Sequence, residues 1–124
     1  MNLNQITVPT TDIESSLGFY QTLGLKLIVK SAEYARFECP DGESTFSIHV
    51  VDKTPNGNGV MVYFECEDLD ATVADLKQKG IRFYQEPTDQ SWLWREARLY
   101  DPANNHLILY YAGKNRKNPP WRIN

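Results

Sequence analysis

The chain is close to being written twice. Displaced by 56 positions, Asp12-Ile13-Glu14 falls on Asp68-Leu69-Asp70, Leu17 on Val73, and Gly24-Leu25-Lys26 on Gly80-Ile81-Arg82. Displaced by 62, Ala35-Arg36-Phe37 falls on Ala97-Arg98-Leu99, and Pro40 on Pro102. The change from 56 to 62 gives the second copy six extra residues between Ile81 and Glu96. A repeat of this length means two copies of one supersecondary unit, each too small to close a hydrophobic core by itself. The fold is thereby restricted to a paired architecture, with function expected where the copies meet.

Copy one reads as β-α-β-β-β. Residues 3–8 alternate and are rich in β-branched side chains, which predicts a strand, broken by Pro9-Thr10-Thr11. Thr11 and Glu14 stand at capping-box spacing, Ile13, Leu17 and Tyr20 recur at the helical period, and Gly24 sits where a left-handed C-cap would stop the helix. Strands follow at residues 26–30, 34–39 and 45–51, with Pro40-Asp41-Gly42 as the turn. Copy two repeats the order. It has a strand at 60–66, a helix capped by Asp68 that buries Leu69, Val73 and Leu76 and ends at Gly80, and strands at about 82–85, 95–100 and 107–111, with Asp101-Pro102-Ala103-Asn104 as the turn. At 124 residues the chain is expected to be a single α+β domain. Module one covers about 1–52, a Gly-, Pro- and Asn-rich linker 53–59, module two about 60–112, and a C-terminal arm 113–124.

Composition excludes several classes. Hydrophobic content of 41% and charged content of 23% are those of an ordinary globule, and no apolar run is long enough to span a bilayer. The start, Met1-Asn2-Leu3-Asn4-Gln5, lacks the basic and apolar regions of a signal peptide, so the cytoplasm is expected. Cys39 and Cys66 belong to no CxxC pair and read as small strand-end residues kept reduced. The net charge is −3, and since four basic residues (Lys114, Arg116, Lys117, Arg122) lie in the acid-free tail, the body carries −7. An acidic body argues against a nucleic-acid groove, which needs a basic stripe. In the tail, Pro119-Pro120-Trp121 predicts packing through the Trp121 ring.

Three segments carry a family likeness: QITVPTTDIESSLGFYQTLGLKL, VYFECEDLDATVADLKQKGI and WREARLYDPANNHLILYY. In this order and spacing the chain resembles, over nearly its whole length, the glyoxalase / bleomycin-resistance / extradiol-dioxygenase superfamily of vicinal oxygen chelate proteins. The resemblance implies two βαβββ modules whose curved sheets form a partly open mixed β-barrel around a ligand cavity. It also implies a homodimer, which the surplus of aromatic residues near the C-terminus, Trp121 included, supports. Catalytic members hold a divalent metal by one inward residue on each of four strands. Carried over, the first-strand positions are Gln5 and, 56 residues on, Met61, while the last-strand glutamate of the family falls on Ile108. The fourth position falls on Phe46 or Ile48 by the simplest alignment, or on His49 after a slip. Ile108 has no donor atom and Met61 offers a thioether poorly suited to a hard metal, which leaves Gln5 and His49 as the candidates. The expectation is the family fold without the family metal, and no other cofactor.

Strand alternation puts every second residue on one face. Counted from the family positions, the cavity face carries Gln5 and Thr7, Met61 and Tyr63, and His106, Ile108 and Tyr110. Family parity adds Glu96, Arg98 and Tyr100, with Tyr34, Arg36 and Glu38 as their module-one partners. Aromatic rings with a few polar groups suit a small organic ligand. Arg98 reads either as a clamp for a ligand carboxylate or phosphate, or as half of an ion pair with Glu96, Glu38 or a neighbour. His106 reads as a general base or as a rim histidine bonded to a strand neighbour, and His49 as a sheet residue. Trp92 and Trp94, in the inserted segment, would stack on a planar or cationic ligand, or would plug a sheet edge or a subunit contact.

Three functions compete. The first is a metal-free small-molecule-binding protein resembling the drug-sequestering members of the family. The second is a metal-dependent lyase, isomerase or dioxygenase of glyoxalase type with unconventional ligands. The third is a metal-free enzyme using Arg98, His106 or Tyr110 for acid–base chemistry. Small organic ligands and a second copy of the chain are the expected partners; nucleic acid and membrane are not.

Overall fold

The computed structural model describes residues 1–55 and 59–123. Part of the expected linker, Asn56-Gly57-Asn58, and the last residue of the arm lie outside the described residues. The element order is β1 (Gln5–Thr10), α1 (Ile13–Leu23), β2 (Lys26–Lys30), β3 (Tyr34–Glu38), β4 (Thr45–Val50), β5 (Met61–Glu65), α2 (Leu69–Gln78), β6 (Gln85–Asp89), β7 (Arg95–Tyr100) and β8 (His106–Tyr111), with a short 3-10 turn at Gly113–Asn115. This is the α+β class with βαβββ twice. The strands form two four-stranded sheets of the same order, β1-β4-β3-β2 and β5-β8-β7-β6. In each, the first strand runs parallel to the last and the other pairs are antiparallel. Among the described residues, no helix is long and apolar enough to cross a membrane.

The chain divides into two compact units. Unit one is Met1–Gly59 with Asp101–Asn105; unit two is Val60–Tyr100 with the chain from His106 onward. In unit one, α1 starts at Asp12, whose carboxylate accepts the backbone N–H groups of Glu14 (3.2 Å) and Ser15 (3.4 Å). The capping box expected from Thr11 is thus displaced by one residue. A carboxylate caps at least as well as a hydroxyl, and Glu14 instead pairs with Lys30 at 3.2 Å. Gly24 takes φ 111°, the left-handed C-cap that a glycine adopts without strain. The helix lays Leu17 and Tyr20 on the sheet, where the Tyr20 ring packs 4.5 Å from that of Phe46 and 5.9 Å from that of Phe37. Each such fully buried large apolar side chain contributes about 1.5–3 kcal/mol.

The Tyr20 hydroxyl, wholly inside this core, donates to Oδ2 of Asp101 at 2.6 Å. Asp101 also accepts the backbone N–H groups of Ala103 and Asn105 at Oδ1, and the Asn105 amide at Oδ2, each at 2.8 Å. That amide reaches Pro9 O at 2.9 Å as well. Burial, reinforced by the Asp101 charge, raises the Tyr20 phenol far above its ordinary value, so it stays protonated.

Unit two has its own helix. Asp68 caps α2 by accepting the Ala71 N–H at 3.2 Å, and Leu69, Val73 and Leu76 are buried. Two strands depart from expectation. β1 runs through Pro9 to Thr10, since it is an edge strand where proline forfeits no ladder bond. β6 lies at 85–89 rather than 82–85. It too is an edge strand, and its register shift between Gln85 and Thr88 accommodates Pro87.

Candidate functional site

In unit one the face turned away from α1 carries Gln5 and Thr7 on β1, Thr45, Ser47 and His49 on β4, and Tyr34, Arg36 and Glu38 on β3. Phe46 and Ile48 are fully buried on the opposite face, and the β4 residue that shares the face of Gln5 between Thr45 and His49 is Ser47, which the sequence reading did not name. The cause is a turn-length difference. Six residues separate the paired Glu38 and Thr45, but five separate Tyr100 and His106, so the displacement between copies drops from 62 to 61 across the turn. Pairing Arg36 with Ser47 and Arg98 with Ile108 makes Ser47 the counterpart of Ile108. His49 shares this face but pairs with Pro9, four residues along from Gln5, about 13 Å away at strand rise.

These side chains are linked. The Gln5 amide Nε2 donates to the Ser47 hydroxyl at 2.7 Å and lies 3.2 Å from Thr7 Oγ1, while the Thr45 hydroxyl donates to Gln5 Oε1. Ser47, fully buried, shares a 2.6 Å hydrogen bond with the Tyr34 hydroxyl, and Arg36 Nε donates to that same phenol oxygen at 2.9 Å.

In unit two the corresponding face carries Met61, Tyr63 and Glu65 on β5, His106, Ile108 and Tyr110 on β8, and Glu96, Arg98 and Tyr100 on β7. Trp94 stacks on Tyr110 at 4.7 Å, and Tyr63 meets both rings edge-on, at 5.8 and 5.5 Å. Ile108, with no exposed surface, lies in the same cluster as Tyr110 and Ala112, against which Trp94 packs. Beside it, the fully buried Glu96 accepts from Arg98 at 2.7 and 3.2 Å and from Trp92 Nε1 at 2.9 Å. Arg98 forms an ion pair with Glu96, and that bond raises the guanidinium pKa further.

A second ring cluster adjoins Arg98. Tyr84 stacks on Tyr100, and Tyr100 on His106, each at 5.0 Å, and the Tyr84 hydroxyl bonds His106 Nε2. Burial, then the Arg98 charge, lowers the His106 pKa, leaving a neutral imidazole at pH 7. Tyr84, not among the expected site residues, precedes β6 and is held beside Arg98 by its backbone N–H, which donates to Arg98 O at 2.9 Å. Burial raises the phenols of Tyr63 and Tyr110, the charges of Glu96 and Glu65 adding to it, so both rings are neutral hydrogen-bond donors. Met61, Tyr63, Trp92 and Tyr100 remain exposed, whereas Trp94 is half-buried.

The C-terminal arm begins against this face. Glu65 Oε2 accepts the N–H groups of Ala112 and Gly113, both at 2.9 Å, and Trp94 Nε1 donates to Asn115 O at 3.3 Å. Further out, Trp121 is exposed rather than packed, contrary to expectation. No group of three or more His, Cys, Asp or Glu side chains is arranged to hold a metal ion among the described residues.

A family model, the Glyoxalase/Bleomycin resistance protein/Dioxygenase superfamily, matches residues 2–109. The protein YraH of Bacillus subtilis (strain 168) is 30% identical over 89% of this chain and 98% of its own length. A glyoxalase/bleomycin resistance protein/dioxygenase from Nocardioides superposes with a TM-score of 0.81 at 24% identity, over 100% of this chain and 90% of its own. A bleomycin-binding protein, solved in complex with bleomycin, superposes with a TM-score of 0.73 at 21% identity, over 90% of this chain and 98% of its own. At these identities the structural likenesses establish a shared fold.

Proposed function

The chain belongs to the Glyoxalase/Bleomycin resistance protein/Dioxygenase superfamily, and from that premise we propose that it is a cytoplasmic, metal-free binding protein for a small, ring-containing organic molecule. The ligand lies on the aromatic face of unit two. The observation that carries this reading is the Trp94–Tyr110–Tyr63 cluster beside the Glu96–Arg98 pair, with Trp92 exposed at its margin. Rings supply contact area at low entropic cost, and Arg98 has donors beyond those Glu96 takes with which to orient a carbonyl or anionic group. The bleomycin-binding relative makes bleomycin the first probe.

The donor set supports the metal-free reading. Ile108 and Met61 occupy two of the four family positions, and at the other two Gln5 and Ser47 are hydrogen-bonded to each other. An amide, a hydroxyl and a thioether supply no charge and only two oxygen donors, too few to hold a chelating metal. The same reading includes a homodimer. Untagged protein should carry no stoichiometric Zn, Ni, Mn or Fe and should scatter light as a dimer at micromolar concentration. Stoichiometric metal lost on Gln5→Ala, or a monomer, would overturn the corresponding half.

For the ligand itself, thermal-shift screening with bleomycin and other ring compounds should find a binder. Its affinity should fall about 10- to 150-fold in Arg98→Ala, the loss of one charge-assisted hydrogen bond, and should also fall in Trp94→Ala. Equal affinity in wild type and both variants, each shown to be folded, would place the ligand elsewhere.

A further inference from the structure

On unit one, we propose that Arg36 and Tyr34 form a site for a small carboxylate, Arg36 supplying charge and Tyr34 donating its phenolic hydrogen. Three observations on β3 and β4 carry it. Arg36 is exposed and spends Nε on the Tyr34 oxygen, with its guanidinium carbon 5.4 Å from the Tyr34 ring centroid. No ion pair engages its two terminal nitrogens among the described residues, so the planar fork that suits a carboxylate is open.

The proton inventory then fixes the direction of the Tyr34 hydroxyl. Ser47 Oγ accepts from Gln5 and has one hydrogen to give, with the Tyr34 oxygen as its acceptor among the described residues. Were Tyr34 the donor in that bond, the hydrogen of a fully buried serine would go unpaired, which costs about 1–3 kcal/mol. Ser47 therefore donates. The phenol oxygen accepts from both Ser47 and Arg36, and its own hydrogen is left pointing away from both, toward a ligand. Two donors on the oxygen also stabilise the phenolate, and the Ser47 bond, followed by the bond and charge of Arg36, lowers the Tyr34 pKa. Gln5 holds Ser47 in place and so acts as a positioning residue. The other ionisable groups on this face of the sheet are His49 opposite Tyr34, Glu38 farther along β3, and Lys26 opposite Glu38.

The probe is benzoate, followed by calorimetry and by the ring-carbon NMR signal of Tyr34 in tyrosine-labelled full-length protein. Benzoate should bind saturably and shift the Tyr34 signal. Arg36→Gln and Tyr34→Phe should each weaken binding about tenfold or more, while Trp94→Ala on the other unit leaves it unchanged. Without ligand, Tyr34 should titrate at lower pH than Tyr63, Tyr84 and Tyr110 and move upward in Arg36→Gln. Both substitutions are on the sheet surface and should fold. Tyr34 titrating with Tyr63, Tyr84 and Tyr110, or benzoate affinity insensitive to both substitutions, would overturn the site. Benzoate binding that is lost in Trp94→Ala but kept in Arg36→Gln would also overturn it, and would support the aromatic face instead.

Discussion

Replacing Asp101 by alanine should lower the unfolding free energy by about 3–5 kcal/mol, the largest single effect expected outside the apolar core. Four donors lose a charged acceptor at once: the Tyr20 hydroxyl, the backbone N–H groups of Ala103 and Asn105, and the Asn105 amide. The amide keeps Pro9 O and the surface can rewet the turn, but the Tyr20 hydroxyl is fully enclosed and finds no other partner. Tyr20→Phe should cost less, about 1–3 kcal/mol, because it removes one of four bonds and leaves the turn intact. Urea unfolding of both single variants and the double variant measures the coupling; additive losses would refute the link. Alkali gives a second readout. Because the folded-state pKa of Tyr20 is raised, its contribution is complete below the ordinary tyrosine value of roughly 10 and declines as pH rises beyond it, where the unfolded chain ionises first. Tyr20→Phe should flatten that decline.

Arg98→Ala should cost about 2–4 kcal/mol of stability. It strands the Glu96 carboxylate, which has no exposed surface, with Trp92 Nε1 as its remaining donor. Breaking a wholly buried pair costs 3–5 kcal/mol as a rule, and the discount reflects the quarter of the Arg98 side chain that still meets solvent. If the penalty comes from an uncompensated charge, adding Glu96→Gln should recover more than half of it. A double variant no more stable than Arg98→Ala would mean the loss comes from packing of the arginine stem instead. The same measurement guards the ligand test, since a weakened fold and a weakened clamp must be told apart.

The architecture was legible because it depends on punctuation. Gly24 and Gly80 follow the helices, Asp68 opens one of them, and β2 and β7 begin and end where alternation places them. What misled were local rules overridden by position in the sheet. Pro9 read as a breaker, yet it sits on an edge strand, as does Pro87. On the sheet faces of the two units, Gln5, Thr7, Met61, Tyr63, Arg98 and Tyr110 could be assigned from alternation within their own strands. Ser47 could not, because one residue more in the turn before it inverts the inside–outside assignment of a whole strand. A serine among Phe46, Ile48 and Val50 also gives no chemical signal until its neighbours Gln5 and Tyr34 are known. The Glu65 contacts with the arm join residues 47 and 48 positions apart, beyond any local pattern.

The turn 101–105 lies in the second copy by sequence and in unit one by structure. Its partner Tyr20 corresponds, at a displacement of 56, to Leu76, and Asp101 corresponds, at 62, to Cys39. The polar lock therefore exists once, with an aliphatic side chain and a thiol standing at the mirrored positions. A peptide cut within the linker would yield a first half whose core hydroxyl has lost its acceptor and a second half carrying a loop that belongs to its sibling. Such halves should be complementing fragments rather than autonomous domains, and a tandem of two identical first copies would not reproduce the protein.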